Sequence, residues 1–227
     1  MSERRDWLSQ LDAVVFDLDG TLVQLTIDFW QMRTEVYDLA ARYGVKVDDR
    51  RRQLLALEFV ADATADLYRV SPHQAARFEA EAQAAIEAIE LKAARRADLF
   101  PGVPELLAWL RAQSLKLGII TRNCRAAAGA VLESLEPLMG VVLTRDDVPA
   151  VKPDPLHLRR ALDALGVRGG RTLMVGDHPL DVRTGQAAGA FTAAVLRPGE
   201  TPARYADVSP DLLLNGVLEL RQHLEVI

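Results

Sequence analysis

The sequence predicts an α/β protein, a Rossmann-like parallel sheet with helices on both faces and a small all-helical cap inserted into it. Short apolar runs alternate with helical patterns from residue 99 onwards, which is typical of a parallel sheet covered on both faces. A helical block, 22–98, separates these runs from the first one and is too long for a crossover loop. An inserted helical domain accounts for it most simply.

The first strand is predicted at 13–16, where four apolar residues precede a turn at Gly20. The later apolar runs predict strands at 115–121, 141–143, 172–175, 191–196 and 211–214. Between them, helices are predicted at 104–113, 124–135, 155–165 and 180–188. This order of elements supports the parallel sheet.

Three helical patterns fill the inserted block. Asp28 caps the first, which keeps helical apolar spacing up to a stop at Gly44. The second runs over 48–69, and Ser71 followed by Pro72 begins a third that ends near 97. The resulting division is a core domain over 1–21 and 99–227 and a cap domain over 22–98. We expect the cap to face the carboxyl end of the first strand.

Composition narrows the functional class. The chain has 227 residues, 49% of them apolar, and a net charge of -5, which provides no basic surface for nucleic acid or anionic membranes. Its one cysteine, Cys124, excludes an internal disulfide and is typical of a reducing compartment. With neither a signal-peptide pattern nor a membrane-length apolar stretch, the sequence predicts a cytoplasmic protein. It leaves the oligomeric state open between a monomer and a homodimer.

Two carboxylates stand where the first strand ends, on Asp17 and Asp19. Ligands of open α/β sheets bind at this end of the strands. Two charges about 4 Å apart repel by roughly 4 kcal/mol at an effective dielectric near 20. A nearby cation would remove that cost, so the pair indicates a metal site or a catalytic site.

Other polar residues follow later strands. Thr121 ends the second strand, Lys152 precedes a helix, and Asp177 and Asp181 follow the strand at 172–175. Loops at the carboxyl ends of parallel strands open on one edge, so we expect these side chains to meet the first two acids. Clustered carboxylates suit Mg²⁺, whose coordination shell is often completed by substrate phosphate.

This set of groups favours phosphoryl transfer. A carboxylate beside Mg²⁺ can act as a nucleophile and form an aspartyl-phosphate. A second carboxylate can protonate the leaving oxygen and then activate water. A lysine and a hydroxyl suit the phosphate oxygens.

Four stretches resemble, in order and in context, the four motifs of the haloacid dehalogenase superfamily. They are Asp17-Leu18-Asp19-Gly20-Thr21, Thr121, Lys152-Pro153 and Gly176-Asp177-His178-Pro179-Leu180-Asp181. Each motif alone is weakly or moderately specific, whereas all four in order are highly specific. The helical block is similar to the cap of the phosphoglycolate phosphatase-like subgroup.

The resemblance implies a role for each matching residue. Asp17 would be the nucleophile and Asp19 the general acid and base, while Thr121 and Lys152 would hold the phosphoryl group. Asp19 favours phosphoryl transfer, because dehalogenases of this superfamily lack an acid there. The implied activity is a Mg²⁺-dependent phosphatase acting on a small phosphorylated metabolite.

The implied metal ligands are Asp17, Asp177 and the backbone carbonyl of Asp19. The implied supporting residues are Asp181, Gly20 and Gly176. The chain departs from the family pattern after Thr121, where relatives often have asparagine directly and this chain has Arg122 and then Asn123. Both are predicted to contact substrate.

Other interpretations stay open. A phosphomutase would return the phosphoryl group to its substrate instead of losing it to water. A signalling receiver phosphorylated on Asp17 would bind partners without turnover, although the helical block and the turn after Asp19 argue against it. Asp19 alone is also typical of a turn, Lys152 of a protein surface and Asp181 of a helix first turn.

Overall fold

The computed structural model describes residues 7–24 and 27–225. The chain divides into two compact units. One comprises Met1–Leu25 and Ala97–Ile227, and the other is Thr26–Arg96. Each unit has its own apolar core, centred on residues such as Phe16 in the first and Phe59 in the second.

The unit Thr26–Arg96 is helical throughout its regular structure. Its helices are α1 Phe29–Arg42, α2 Asp49–Arg52, α3 Ala56–Val70 and α4 Pro72–Ala94. The predicted helix starts are confirmed. The Asp28 carboxylate accepts a hydrogen bond from the Gln31 N–H at 2.8 Å, and the Ser71 hydroxyl accepts one from the Gln74 N–H at 3.3 Å. Both satisfy backbone donors that a helix start leaves open.

The predicted single helix over 48–69 is wrong, because the chain turns between α2 and α3. Buried Arg51 donates to the Asp62 carboxylate at 2.7 Å and pairs with Asp66. In one continuous helix, residues 51 and 62 would lie about 16 Å apart along the axis. The turn after α2 therefore lets the guanidinium of Arg51 reach α3.

The other unit contains a six-stranded parallel sheet in the order β3-β2-β1-β4-β5-β6, which confirms the predicted α/β fold. The strands are β1 Ala13–Phe16, β2 Lys116–Ile120, β3 Val141–Leu143, β4 Thr172–Gly176, β5 Phe191–Val195 and β6 Leu212–Leu214. Each differs from its predicted bounds by no more than one residue at either end.

Helices cover both faces of the sheet. They are α5 Val103–Ala112, α6 Arg125–Leu132, α7 Pro155–Leu165, α8 Pro179–Ala187 and α9 Glu219–Glu225. Successive residues of β1 point to opposite faces. Phe16 belongs to the same apolar cluster as Leu107 of α5, whereas Val15 belongs to that of Leu158 of α7. Because both faces are covered, all four β1 residues are buried.

Two helical features differ from the prediction. The helix predicted at 124–135 ends at Leu132 and is followed by a 3-10 turn, Glu136–Leu138. Pro137 stands in that turn, and its missing N–H keeps an α-helix from running on through residue 137. Helix α9 was not predicted.

The sheet continues for one residue past the ends of two strands. The Asp17 N–H donates to the Val175 carbonyl at 2.8 Å, and the Thr121 N–H donates to the Leu143 carbonyl at 3.0 Å. The residues that begin the loops therefore have backbones fixed by the sheet. None of the helices in the described ranges combines the length and the apolar character needed to cross a membrane.

Candidate active site

Three aspartates meet at the carboxyl edge of β1 and β4. Asp17, Asp177 and Asp181 each place a carboxylate oxygen within 4.8 Å of the other two. Asp17 follows β1 and Asp177 follows β4, its neighbour in the sheet, while Asp181 lies in the first turn of α8. The expected meeting of these acids is therefore observed.

Lys152 brings a cation into this cluster. Its ammonium lies 2.6 Å from Asp17 Oδ1 and 2.7 Å from Asp181 Oδ1, and its side chain is only 2% exposed. A buried ammonium is stable only when it is paired in this way. The position of Lys152 therefore differs from that of an ordinary surface lysine.

Charges in the cluster influence one another strongly. Burial raises the pKa of Asp177 to about 6 and that of Asp181 to about 7. Burial opposes the charge on Lys152, but the carboxylates of Asp17 and Asp181 outweigh it, so the lysine pKa is raised. A bound cation would favour the ionised form of both carboxyl groups.

Asp17 is held through its Oδ1 oxygen and stays partly exposed. Oδ1 receives the Leu18 N–H at 2.7 Å and the Lys152 ammonium at 2.6 Å. The Asp17 side chain is 13% exposed, compared with 2% for Asp181 and 1% for Asp177. Of the three acids, Asp17 is the one that a substrate can most easily reach.

Asp19 lies on the turn after Asp17 and is held by Asn123. The Asn123 side-chain N–H donates to Asp19 Oδ2 at 2.6 Å. The backbone N–H of Asn123 donates to the Thr121 hydroxyl oxygen at 3.1 Å. That contact uses the hydroxyl as an acceptor and leaves its proton available for another oxygen.

Two glycines leave room for the buried acids. A Cβ on Gly20 would lie 2.0 Å from Asp177 Oδ2, and a Cβ on Gly176 would lie 2.2 Å from the Asp181 carboxyl carbon. Gly20 also has a φ of 80°, which L-residues with side chains rarely adopt. The turn at Gly20 and the end of β4 therefore fit only when these positions lack a side chain.

We expect Gly20→Ala to displace the Asp177 carboxylate and to destabilise the protein by more than the roughly 1–2 kcal/mol of an unfavourable φ alone. Urea unfolding measures the stability loss, and metal titration with thermal melting measures the effect at the acid cluster. Gly189→Ala is the matched control, because Gly189 has a φ of 74° and a methyl group there would meet no described atom within 4 Å. Equal losses in the two variants would contradict a specific clash with Asp177.

The acid cluster fits a divalent metal. Asp177 Oδ1 is buried and accepts no hydrogen bond from any residue within 7–24 or 27–225. An unsatisfied buried carboxylate oxygen is costly unless a cation or another partner contacts it. Asp17 and Asp177 also supply the carboxylate oxygens that hard cations prefer. Both oxygens of Asp181 already have partners, Lys152 and the His178 N–H at 3.0 Å, so Asp181 is placed as a support.

Arg197 is a site residue that the sequence analysis missed. It lies two residues after the end of β5, and its guanidinium pairs with Asp177 Oδ2. Burial opposes the charge of Arg197, but Asp177 more than compensates, so the arginine pKa is raised. The rule that loops open at the carboxyl ends of parallel strands applies to β5 as well, so this residue could have been identified.

Arg122 was predicted to contact substrate. In the structure its guanidinium donates to the backbone carbonyl of Lys152. The arginine thus links the loop after β2 to the loop that carries the lysine. Arg145 in turn donates from its guanidinium to the Arg122 carbonyl at 3.3 Å. The substrate contact proposed for Arg122 stays a prediction, and its observed partner gives it a role in holding the Lys152 loop.

His157 also escaped the sequence analysis, since it stands inside the ordinary helical pattern of α7. Its Nδ1 accepts the Lys152 N–H at 3.4 Å, and its Nε2 lies 3.2 Å from the Leu143 carbonyl. These partners require the neutral ring with its proton on Nε2. Burial, with a further effect of Lys152, lowers the pKa of His157 to about 4.

The buried His157 is expected to make the protein less stable in mild acid. The folded ring binds a proton only near pH 4, whereas the unfolded chain does so near pH 6.5. The contribution of His157 to stability is therefore fully present above pH 6.5 and falls by about 3 kcal/mol as the pH drops towards 4. Urea unfolding of wild type and His157→Asn across this range isolates the effect. The stability difference between them should shrink as the pH falls, and parallel curves would contradict the assignment.

The chain is similar in sequence and in fold to known proteins. The family model described as haloacid dehalogenase-like hydrolase matches residues 11–189. The pyrophosphatase PpaX of Halalkalibacterium halodurans is 32% identical over 220 residues, 93% of this chain and 95% of the relative. An N-acetylmuramic acid 6-phosphate phosphatase of Pseudomonas putida is 29% identical over 231 residues, 95% of this chain and 97% of the relative. The crystal structure of a hydrolase from Pseudomonas syringae is similar to 95% of this chain, with a TM-score of 0.67. The match includes 99% of the hydrolase chain, and the sequence identity is 23%.

Proposed function

Because the chain belongs to the haloacid dehalogenase-like hydrolase family, we propose that it is a Mg²⁺-dependent phosphatase of small organic phosphates that works through an aspartyl-phosphate. The observation that carries this proposal is the arrangement of Asp17. Its Oδ1 is held by Lys152 and by the Leu18 N–H, while its side chain stays partly exposed. A fixed and accessible carboxylate is what a nucleophile requires.

In the first step, Asp17 Oδ2 attacks phosphorus and forms a new bond between oxygen and phosphorus. The bond from phosphorus to the leaving oxygen breaks, and that oxygen keeps the electron pair. Asp19 supplies the proton that neutralises it, acting as the general acid. The hydrogen bond that the Asn123 amide donates supports this role, because it holds the carboxyl group of Asp19 in place. Asp19 stands two residues after the proposed nucleophile in the chain.

In the second step, the Asp19 carboxylate takes a proton from water as the water oxygen attacks the same phosphorus. The bond between phosphorus and Asp17 breaks, which releases inorganic phosphate and restores both carboxyl groups. The ammonium of Lys152 and the hydroxyl of Thr121 are proposed to hold the phosphoryl oxygens. Lys152 is already positioned 2.6 Å from the nucleophile, so it can stabilise charge that develops beside Asp17.

Asp17, Asp177 and the backbone carbonyl of Asp19 would hold the magnesium ion. The unsatisfied Asp177 Oδ1 and the grouping of carboxylate oxygens support that choice. When bound, Mg²⁺ supplies positive charge for the phosphoryl oxygens. Asp181 is proposed to keep Lys152 in place through their 2.7 Å contact.

The experiment is to incubate the purified protein with a panel of phosphate compounds, in Mg²⁺ and in EDTA, and to measure free phosphate. The panel includes pyrophosphate and a sugar 6-phosphate, which match the names of the two relatives. We expect metal-dependent, multiple-turnover release, with one phosphate for each ester cleaved. Isomerisation without free phosphate would indicate a phosphomutase, and a single phosphorylation without turnover would indicate a receiver.

A further inference from the structure

The side chain of Asn123 donates a hydrogen bond to the Asp19 carboxylate. The amide nitrogen lies 2.6 Å from Asp19 Oδ2. The amide nitrogen of Asn123 can only donate, so Asp19 Oδ2 is the acceptor of this hydrogen bond. Asn123 is only 9% exposed, whereas Asp19 is half-buried. A buried donor therefore contacts an acid that is itself open enough to meet substrate.

The backbone of Asn123 is fixed on both sides. Its N–H donates to the Thr121 hydroxyl oxygen at 3.1 Å, and its carbonyl accepts the Arg145 N–H at 3.2 Å. These bonds tie the residue to the ends of β2 and β3. The side-chain amide thus starts from a rigid position, so its hydrogen bond helps to fix where Asp19 Oδ2 lies.

We propose that Asn123 is a positioning residue that holds the Asp19 carboxyl group in the orientation from which its proton reaches the leaving oxygen. This inference rests on the proposed function, in which Asp19 is the general acid. It also changes the role expected for Asn123 from contact with substrate to control of the acid.

The proposal predicts a dependence on the leaving group. The alkoxide of an alkyl phosphate is strongly basic, so its departure needs a proton from Asp19. The anion of p-nitrophenol is stable without one, so p-nitrophenyl phosphate depends far less on the acid. A misplaced Asp19 should therefore slow an alkyl ester much more than this aryl ester. A general loss of structure would slow both equally.

The test compares kcat/KM for glycerol phosphate and p-nitrophenyl phosphate in wild type and Asn123→Ala. This quantity covers the steps up to departure of the leaving group. We expect a loss of roughly 10- to 100-fold with the alkyl ester and less than about threefold with the aryl ester. Asn123→Asp should be at least as damaging, because it places a second carboxylate against Asp19.

Asn215→Ala is the matched control. The Asn215 amide also donates to a carboxylate, that of Glu219 at 3.0 Å, and neither residue belongs to the acid cluster. It should leave both rates unchanged. Crystal structures of wild type and Asn123→Ala provide a second measurement, and we expect the Asp19 carboxyl group to leave its observed orientation in the variant.

Equal losses with both esters would overturn the positioning role, and so would an unmoved Asp19 in the variant crystal. A wild-type protein that cleaves neither ester, nor any compound of the phosphate panel, would overturn the proposed function instead. In that event the crystal comparison still decides whether Asn123 orients Asp19. The two failures are therefore distinguishable.

Discussion

Replacing Asp17 with asparagine is expected to abolish Mg²⁺-dependent phosphate release and to leave the fold intact. The amide is a very poor nucleophile compared with a carboxylate, so we expect turnover to fall by at least about 10³-fold. The amide oxygen can still accept the Leu18 N–H, which the Asp17 carboxylate accepts at 2.7 Å. Urea unfolding should therefore show a stability change within about 1–2 kcal/mol.

Asp207→Asn is the matched control, because it makes the same substitution at an exposed aspartate of the sheet-containing unit. Its phosphate release should equal that of wild type. Intact-mass measurement after mixing with substrate adds a direct readout, since the proposed mechanism places a phosphoryl group on Asp17 of wild type and none on Asp17→Asn. Near wild-type turnover by Asp17→Asn would show that another group attacks phosphorus.

Lys152→Met is expected to cost both stability and activity. The ammonium contacts Asp17 and Asp181 at 2.6 and 2.7 Å, and the substitution leaves both carboxylates without it. Removing one partner of a buried ion pair typically costs about 3–5 kcal/mol. We expect a loss of this size by urea unfolding in EDTA. Turnover should fall by about 10²- to 10³-fold, because the charge beside Asp17 is lost.

A second substitution separates these two effects. If repulsion among the carboxylates causes the instability, adding Asp181→Asn to Lys152→Met should restore about 1–2 kcal/mol of stability. It should not restore activity, since the double variant still lacks the ammonium that lies beside Asp17 in wild type. Lys92→Met, at an exposed position on α4, controls for loss of a lysine. A double variant no more stable than Lys152→Met would contradict the repulsion argument.

The regular elements of the sheet could be predicted from sequence because their signals are local. Residues 13–16 are an apolar run followed by a turn at Gly20, and residues 172–175 are a second largely apolar run; they correspond to β1 and β4. The break between α2 and α3 could not be predicted in the same way. It depends on Arg51 reaching Asp62 and Asp66, which are brought close only after the chain has turned.

In the site, too, some contacts could be predicted from the sequence and others could not. Asp17, Asp177 and Lys152 could be predicted to meet because each stands beside an element of one parallel sheet, and the sheet fixes where its loops open. The Asn123–Asp19 contact joins two loops 104 residues apart. Neither Asn123 nor Asp19 belongs to a periodic sequence pattern. The sequence therefore indicated both as polar residues near the site and did not predict the hydrogen bond between them.

The sequence by itself determined the parallel α/β fold and which acids gather at one sheet edge, since apolar spacing and the alternation of strands with helices along the chain are local features. Only the tertiary structure decided how those acids differ. Burial and ion pairing separate Asp17, which is accessible, from Asp177 and Asp181, which are enclosed. The same packing placed Arg197 on Asp177 and Asn123 on Asp19. Such contacts depend on distances of a few ångströms between segments remote in the chain, which no local pattern encodes.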